Sequence, residues 1–248
     1  MEIFNKYGTK ITSLESWRDA FLEVDSKIHW KEGRSAYSLA EFFNPQSTNC
    51  DTFRQNLKRI PALDGDIKFD VGVIEFESKF DNFRGNGRIH DLAIWGSCND
   101  VKFFVGIEGK VDETFGDTIE DAKSKANEYL KLKPTSKRLE RIEKLERKFL
   151  SEPYLNKSNI EKFRYQLLYY LAGTLAQAQK SGVSIAIMPV LVFKTEDYKS
   201  DAANDNKLDY EKFMTALFGK PKDGSGLYSK QYGNITIYSF YEEIGNIE

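Results

Sequence analysis

Apolar positions along the chain change period several times. Leu14, Trp17, Phe21 and Val24 recur at helical spacing after Ser13, a capping residue, which predicts a helix over 14–24. Ser35 to Phe43 and Thr52 to Arg59 predict two more short helices, and Pro61 with Asp64-Gly65 closes this section. Residues 67–76 are rich in β-formers and predict a strand. A Gly- and Asn-rich turn follows over 81–88, then strands at about 88–96 and 101–111 joined by a turn at 96–100, which predicts three consecutive antiparallel strands. Helical spacing returns from 117 to 180. One stripe runs along Leu139, Ile142, Leu145 and Phe149, and the longest helix is expected over 158–180, capped by Ser158. Val183 to Phe193 is almost continuously apolar, as a strand covered on both faces requires, with Pro189 marking a bulge or an edge. A polar loop over 195–207, a helix over 208–218 and a strand over 235–240 complete the order.

The order predicts an α/β protein with a mixed central sheet flanked by helices. Its 248 residues suit one domain with additions, or two small ones, and the single-domain reading is preferred. These divide into a helical N-terminal section over 1–62, a core over 63–195, and a C-terminal helix and strand over 196–248. No apolar run approaches the roughly 20 residues of a membrane span, and the first residues lack the layout of a signal peptide. Cys50 and Cys98 stand in no motif, so a cytoplasmic protein with reduced thiols is expected. With His29 and His90 the only histidines, a His-rich metal site is excluded.

Net charge is −2, but between Lys123 and Arg164 thirteen Lys or Arg stand against six Glu. That local excess permits a basic face beside an acidic site; a solvated helical surface is the equal alternative.

The candidate chemistry lies at the strand ends. Acid-x-Lys tripeptides are cheap here: nine occur. Only Glu108-Gly109-Lys110 ends a long apolar strand and follows another strand that carries an acid, Asp91. Strand alternation points Glu108 and Lys110 the same way. Phosphodiester hydrolysis needs an attacking hydroxide and charge relief on the phosphate, which Mg²⁺ held by carboxylates supplies. Asp91, Glu108 and the Gly109 carbonyl are the expected metal ligands, and Lys110 would orient the attacking water. Gln166 and Tyr170, four apart on the long helix, share a face suited to a phosphate or a site water; the bland alternative makes Tyr170 a core residue.

This layout resembles the PD-(D/E)XK nuclease superfamily. Asp91 matches its first acid, with His90 where the motif has proline. Glu108-Gly109-Lys110 matches its (D/E)-x-K element, and Gln166 with Tyr170 matches a Gln-x-x-x-Tyr helix motif of its exonuclease branch. Gly85 to Leu92, Glu108 to Gly116 and Arg164 to Leu168 further resemble a bacterial branch of the superfamily. The resemblance covers about residues 35–195. It implies a restriction-endonuclease-like αβββαβ core and a Mg²⁺-dependent nuclease in which Mn²⁺ substitutes. The implied substrate is DNA before RNA, in restriction or phage defence, and a homodimer is compatible. Superfamily members often add an earlier acid, for which Glu75 is preferred over Glu77 and Glu41. Arg164 and Arg88 are candidate phosphate ligands, although Arg88 is equally suited to pair with Asp91. Asp112 and Glu113 extend the acidic cluster or are solvated loop acids, and His90 is expected to be packed. The alternatives are an inactive nuclease-fold protein that binds DNA or a partner, and a hydrolase of another phosphate ester.

Overall fold

The computed structural model describes residues 1–25, 28–150, 156–196, 198–221 and 224–245. The acid-x-Lys tripeptides at 25–27 and 197–199 fall partly outside these. The chain opens with β1 (Glu2–Phe4) and β2 (Lys10–Ile11), followed by α1 (Leu14–Leu22), α2 (Ser35–Phe43) and α3 (Asn49–Leu57). Three long strands come next: β3 (Ile67–Ser78), β4 (Arg88–Cys98) and β5 (Val101–Lys110). Helices α4 (Ile119–Leu132), α5 (Arg138–Phe149), α6 (Lys157–Ile160) and α7 (Tyr165–Lys180) lead to β6 (Ile185–Phe193). The chain then forms α8 (Ser200–Phe218), β7 (Tyr228–Tyr232) and β8 (Ile235–Ile244).

Among the described residues, eight strands form one mixed sheet in the order β2-β1-β3-β4-β5-β6-β8-β7. The pairings β3 with β4 and β4 with β5 are antiparallel; β5 with β6 and β6 with β8 are parallel. Helices cover both faces. One apolar cluster joins α1–α3 to Leu92, Ile94, Phe103, Val105 and Ile187. The other joins α4, α5, α7 and α8 to Ala93, Phe104, Ala186 and Met188. All nine residues of β6 are buried, because its two sets of alternating side chains enter the two clusters. No helix among the described residues is long and apolar enough to cross a membrane.

Local chemistry explains the boundaries that the pattern anticipated. Ser13 caps α1 through a capping box with Ser16, and Trp17 and Phe21 form its buried stripe. Several expectations need correction. The N-terminal section is not purely helical, since β1 pairs with β3 and extends the sheet. The helix expected over 158–180 is two pieces. Arg164 is extended (φ −72°, ψ 124°) and bridges to Thr118, so α7 starts only at Tyr165. The polar loop expected to 207 is helical from Ser200, and β7 was not anticipated.

Pro189 lies in a central strand rather than at an edge, and the β5–β6 register carries no bulge. Val105 pairs with Ile187 and Glu108 with Val190, at constant offset. Between those pairs the proline lacks an N–H, and the Gly106 carbonyl opposite needs another donor. The Tyr170 hydroxyl supplies it, lying 2.5 Å from the Gly106 oxygen and 2.8 Å from the Pro189 oxygen. A side chain on α7 thus repairs a backbone gap in the middle of the sheet. Tyr170→Phe keeps the ring and removes the donor, and is expected to lower stability by about 1–3 kcal/mol in chemical denaturation. An unchanged midpoint would show that the gap needs no repair.

Candidate active site at the end of the central strands

The β4–β5 ladder ends at Leu92 and Ile107, so Glu108, Gly109 and Lys110 run on beyond the last paired residues. At the same level the alternation of β3 and β4 breaks. Ile74 and Leu92 enter one apolar cluster. Phe76 packs against the other, and its pairing partner His90 contacts Phe104 and Tyr170 on that side. The residues in between are Glu75 and Asp91. Glu75 has φ 49°, which is costly for a side-chain-bearing residue. The kink therefore takes two carboxylates out of the regular pleat at the point where β5 leaves β4.

A cavity of about 370 Å³ opens there, lined by Glu75, Asp91, Glu108, Gly109, Lys110 and Glu113 on the sheet side. Its other wall comes from the N-terminal section, including Asp25, His29 and Ser35. Glu108 is buried among cations and amides. Arg88 Nη2 bonds one of its oxygens. Lys110 Nζ lies 2.9 Å and Gln166 Nε2 2.7 Å from the other. Lys110 Nζ also donates to Gln166 Oε1 at 3.4 Å. Asp91 Oδ2 accepts the Gly109 N–H at 2.7 Å, which pins β4 to the end of β5 that otherwise pairs only with β6. Glu113 accepts from the Val111 N–H at 2.7 Å and from Ser35 Oγ at 3.1 Å. Glu75 makes no hydrogen bond or ion pair among the described residues.

Electrostatics follow from these partners. Burial and the facing Asp91 hold the Glu75 carboxyl well above its ordinary value. Burial also raises Asp91, against the pull of Arg88 and Lys110. Lys110 is lowered, by burial first, although Asp91 acts the other way. Glu113 falls below its ordinary value because the Val111 amide and Lys110 outweigh its burial.

Two close approaches set Arg88 in place. A Cβ on Gly173 of α7 would lie 2.3 Å from Arg88 Cβ, and one on Gly106 would lie 2.5 Å from His90 Nδ1. The guanidinium sits 4.8 Å from the Tyr170 ring centroid.

The structure thus brings together Glu75, Asp91, Glu108, Gly109, Lys110 and Gln166. Other expectations change. Tyr170 is fully buried with its hydroxyl committed to backbone, so it is not available to a substrate. Arg88 is 4% exposed and committed to Glu108; it is an internal partner, not an open phosphate ligand. Arg164 lies outside the cavity, held by Asp209 at 2.6 Å and the Gly116 carbonyl at 2.7 Å. Glu77 binds the Gly87 N–H at 2.5 Å and Lys79 at 2.9 Å, and neither it nor Glu41 lines the cavity. Asp112 pairs with Arg34 at 2.6 Å. His90 is buried against Ser78, 3.0 Å away, with its basicity lowered by burial and by Arg88. Asp25 and His29, 2.9 Å apart at the cavity wall, were not anticipated. They follow α1 with no periodic signal, and the common acid-x-Lys tripeptide at 25–27 singles out nothing, so only the tertiary fold reveals them.

Fold and site together define a three-layer α/β protein with a cluster of acids, a lysine and a glutamine at the end of its central strands. Residues 10–243 match the family described as a domain of unknown function, DUF6946, and the chain belongs to that family. No curated protein and no solved structure matches the chain.

A carboxyl whose native pKa is raised favours folding while protonated and loses that contribution as pH rises through the native value. Wild-type protein in EDTA is therefore expected to lose more thermal stability than Glu75→Gln as pH is raised above the usual carboxylate range. Parallel melting curves for the two between pH 5 and 8 would contradict the strained charge pair.

Proposed function

We propose that this protein is a metal-dependent nuclease that hydrolyses phosphodiester bonds, with DNA as the first substrate to test. The observation that carries the reading is the unpartnered Glu75 carboxylate facing Asp91 beside Glu108 in one cavity. Carboxylates so crowded repel one another, and a hard divalent cation such as Mg²⁺ or Mn²⁺ is the partner that their all-oxygen set suits. In chemistry, though not in their present placement, these residues suit such an ion: Glu75, Asp91 and Glu108 would hold it, with the Gly109 carbonyl as a further donor. When bound, it would relieve charge on the phosphate oxygens and lower the pKa of a coordinated water.

The remaining work falls to the chain's own groups. Lys110, buried and with its ammonium form weakened, is suited to orient a water and to meet charge developing on the phosphate. Gln166 and Arg88 fix the Glu108 carboxylate by hydrogen bonds that leave little rotational freedom. With α4, α5 and α6 taken as insertions between β5 and α7, the order α3, β3, β4, β5, α7, β6, with β4 antiparallel to its neighbours, supports a restriction-endonuclease-like core.

One observation favours a second reading, a nuclease-fold protein that binds DNA or a partner without cutting. Both Glu108 oxygens are already engaged by Arg88, Lys110 and Gln166. Among the described residues no group of three His, Cys, Asp or Glu has metal-ligand geometry. An ion would therefore have to draw Glu108 partly away from Arg88.

Two measurements decide between them. A screen of Mg²⁺ and Mn²⁺ on linear, circular and single-stranded DNA and on RNA is expected to show cleavage. Lys110→Ala and Asp91→Ala should each reduce it roughly 100-fold or more. Full cleavage by both variants would remove the site from consideration. Titration calorimetry with Mn²⁺ is expected to show binding that Asp91→Ala abolishes. Tight DNA association with no metal binding would establish the second reading instead.

A further inference from the structure

A second cavity, of about 560 Å³, lies between the loop that joins β3 to β4 and the helical hairpin α4–α5. Five of its eleven lining residues are Lys or Arg and none is Asp or Glu, in a chain whose net charge is −2. Two of the five are neutralised in place: Arg141 by Asp81 at 2.6 Å, and Lys137 by Glu140 at 2.8 Å. The other three, Arg84, Lys133 and Arg138, form no ion pair among the described residues. These three are exposed, so water screens their mutual repulsion, and together they leave a positive field that attracts an anion.

The cleft walls are firm. Arg141 of α5 clamps the loop through both Asp81 oxygens, at 2.6 and 2.9 Å, and through the Asn86 carbonyl at 3.0 Å. Aromatic rings stand beside the cations. The Arg138 guanidinium lies 4.0 Å from the Tyr129 ring centroid, and Lys144 Nζ lies 4.4 Å from that of Phe83. The same loop runs into β4, whose first residue is Arg88. Gly85 precedes Arg88 by three residues, so their Cα atoms are at most about 11 Å apart. Arg88 in turn holds Glu108.

We propose that this cleft is a binding site for the phosphodiester backbone of a polynucleotide, with Arg84, Lys133 and Arg138 as its phosphate contacts. It deepens the nuclease reading by giving the substrate a second hold, linked to the carboxylate cavity through Arg88 and Glu108, and it rests on that reading for the identity of the polymer. A long polyanion gains from several separated cationic contacts, and flat rings next to them tolerate bases of any sequence. The concave shape and the short link along the chain to Arg88, the partner of Glu108, favour a strand over a membrane surface.

The test is fluorescence anisotropy with a labelled 20-nucleotide DNA, single- and double-stranded, in EDTA so that no cleavage intervenes. Lys133→Ala/Arg138→Ala is compared with Lys68→Ala/Lys102→Ala, which removes the same charge from the opposite end of the central strands. Circular dichroism melts confirm that both variants fold. The cleft variant is expected to bind roughly tenfold or more weakly and to reduce the slope of log K against log salt by about 1.4–1.8, the value for two lost phosphate contacts. The control should lose less than half of that slope. Equal losses in the two variants, or no DNA binding by the wild type, would overturn the proposal. So would binding to anionic phospholipid vesicles that DNA does not displace. Cleft-dependent binding without metal-stimulated cleavage would refute the nuclease reading alone; cleavage that is indifferent to the cleft variant at every salt concentration would refute the cleft alone.

Discussion

One buried carboxylate, Glu108, organises the functional end of this molecule. Taking a carboxylate out of water costs several kcal/mol, and the cost is met only if opposite charge and hydrogen bonds surround it. Arg88 from β4, Lys110 from β5 and Gln166 from α7 do so. Each comes from a different element, so satisfying one charge fixes the relative positions of two strands and a helix. Gly173 then has to be a glycine because α7 must come close enough for Gln166 to reach the sheet while Arg88 passes beneath it.

What that arrangement leaves unsatisfied is a second pair of carboxyls. Arg88 and Lys110 serve Glu108, and Glu75 and Asp91 face each other across the strand kink with less compensation. The protein therefore holds Glu75 in a costly backbone conformation and a costly charge environment together. Such paired costs persist only where the surrounding fold over-determines them, and the surrounding fold here is the long β3–β4 pairing on either side of the kink. Tyr170 shows the same economy in a neutral form: a proline removes one ladder bond from the sheet centre, and a hydroxyl from the adjoining helix replaces it.

Charge is divided along the molecule in a related way. Several carboxylates gather where β5 leaves β4, and three cations with no ion pair among the described residues, Arg84, Lys133 and Arg138, line the cleft at the β3–β4 loop and the α4–α5 hairpin. A net charge near zero conceals this separation, which matters for any polyanionic ligand that must lie across both regions.

The sequence by itself determined the strand meander, the both-faces-covered β6 and the membership of Glu108, Lys110 and Asp91 in one local constellation. The reason is that alternation and apolar runs are properties of neighbouring residues. Gln166 was legible through its four-residue spacing from Tyr170 on one helix, although Tyr170 itself turns out to serve the backbone. Only the tertiary structure decided which earlier acid joins them. Glu75 and Glu77 look alike in sequence, and a positive φ at Glu75 with its breaks in alternation separates them. It also decided that Arg88 and Tyr170 are internal, that Arg164 braces Asp209, and that Asp25 and His29 reach the cavity wall. Those outcomes depend on contacts between residues distant in sequence, where burial and partner geometry, rather than residue type, set what a side chain is free to do.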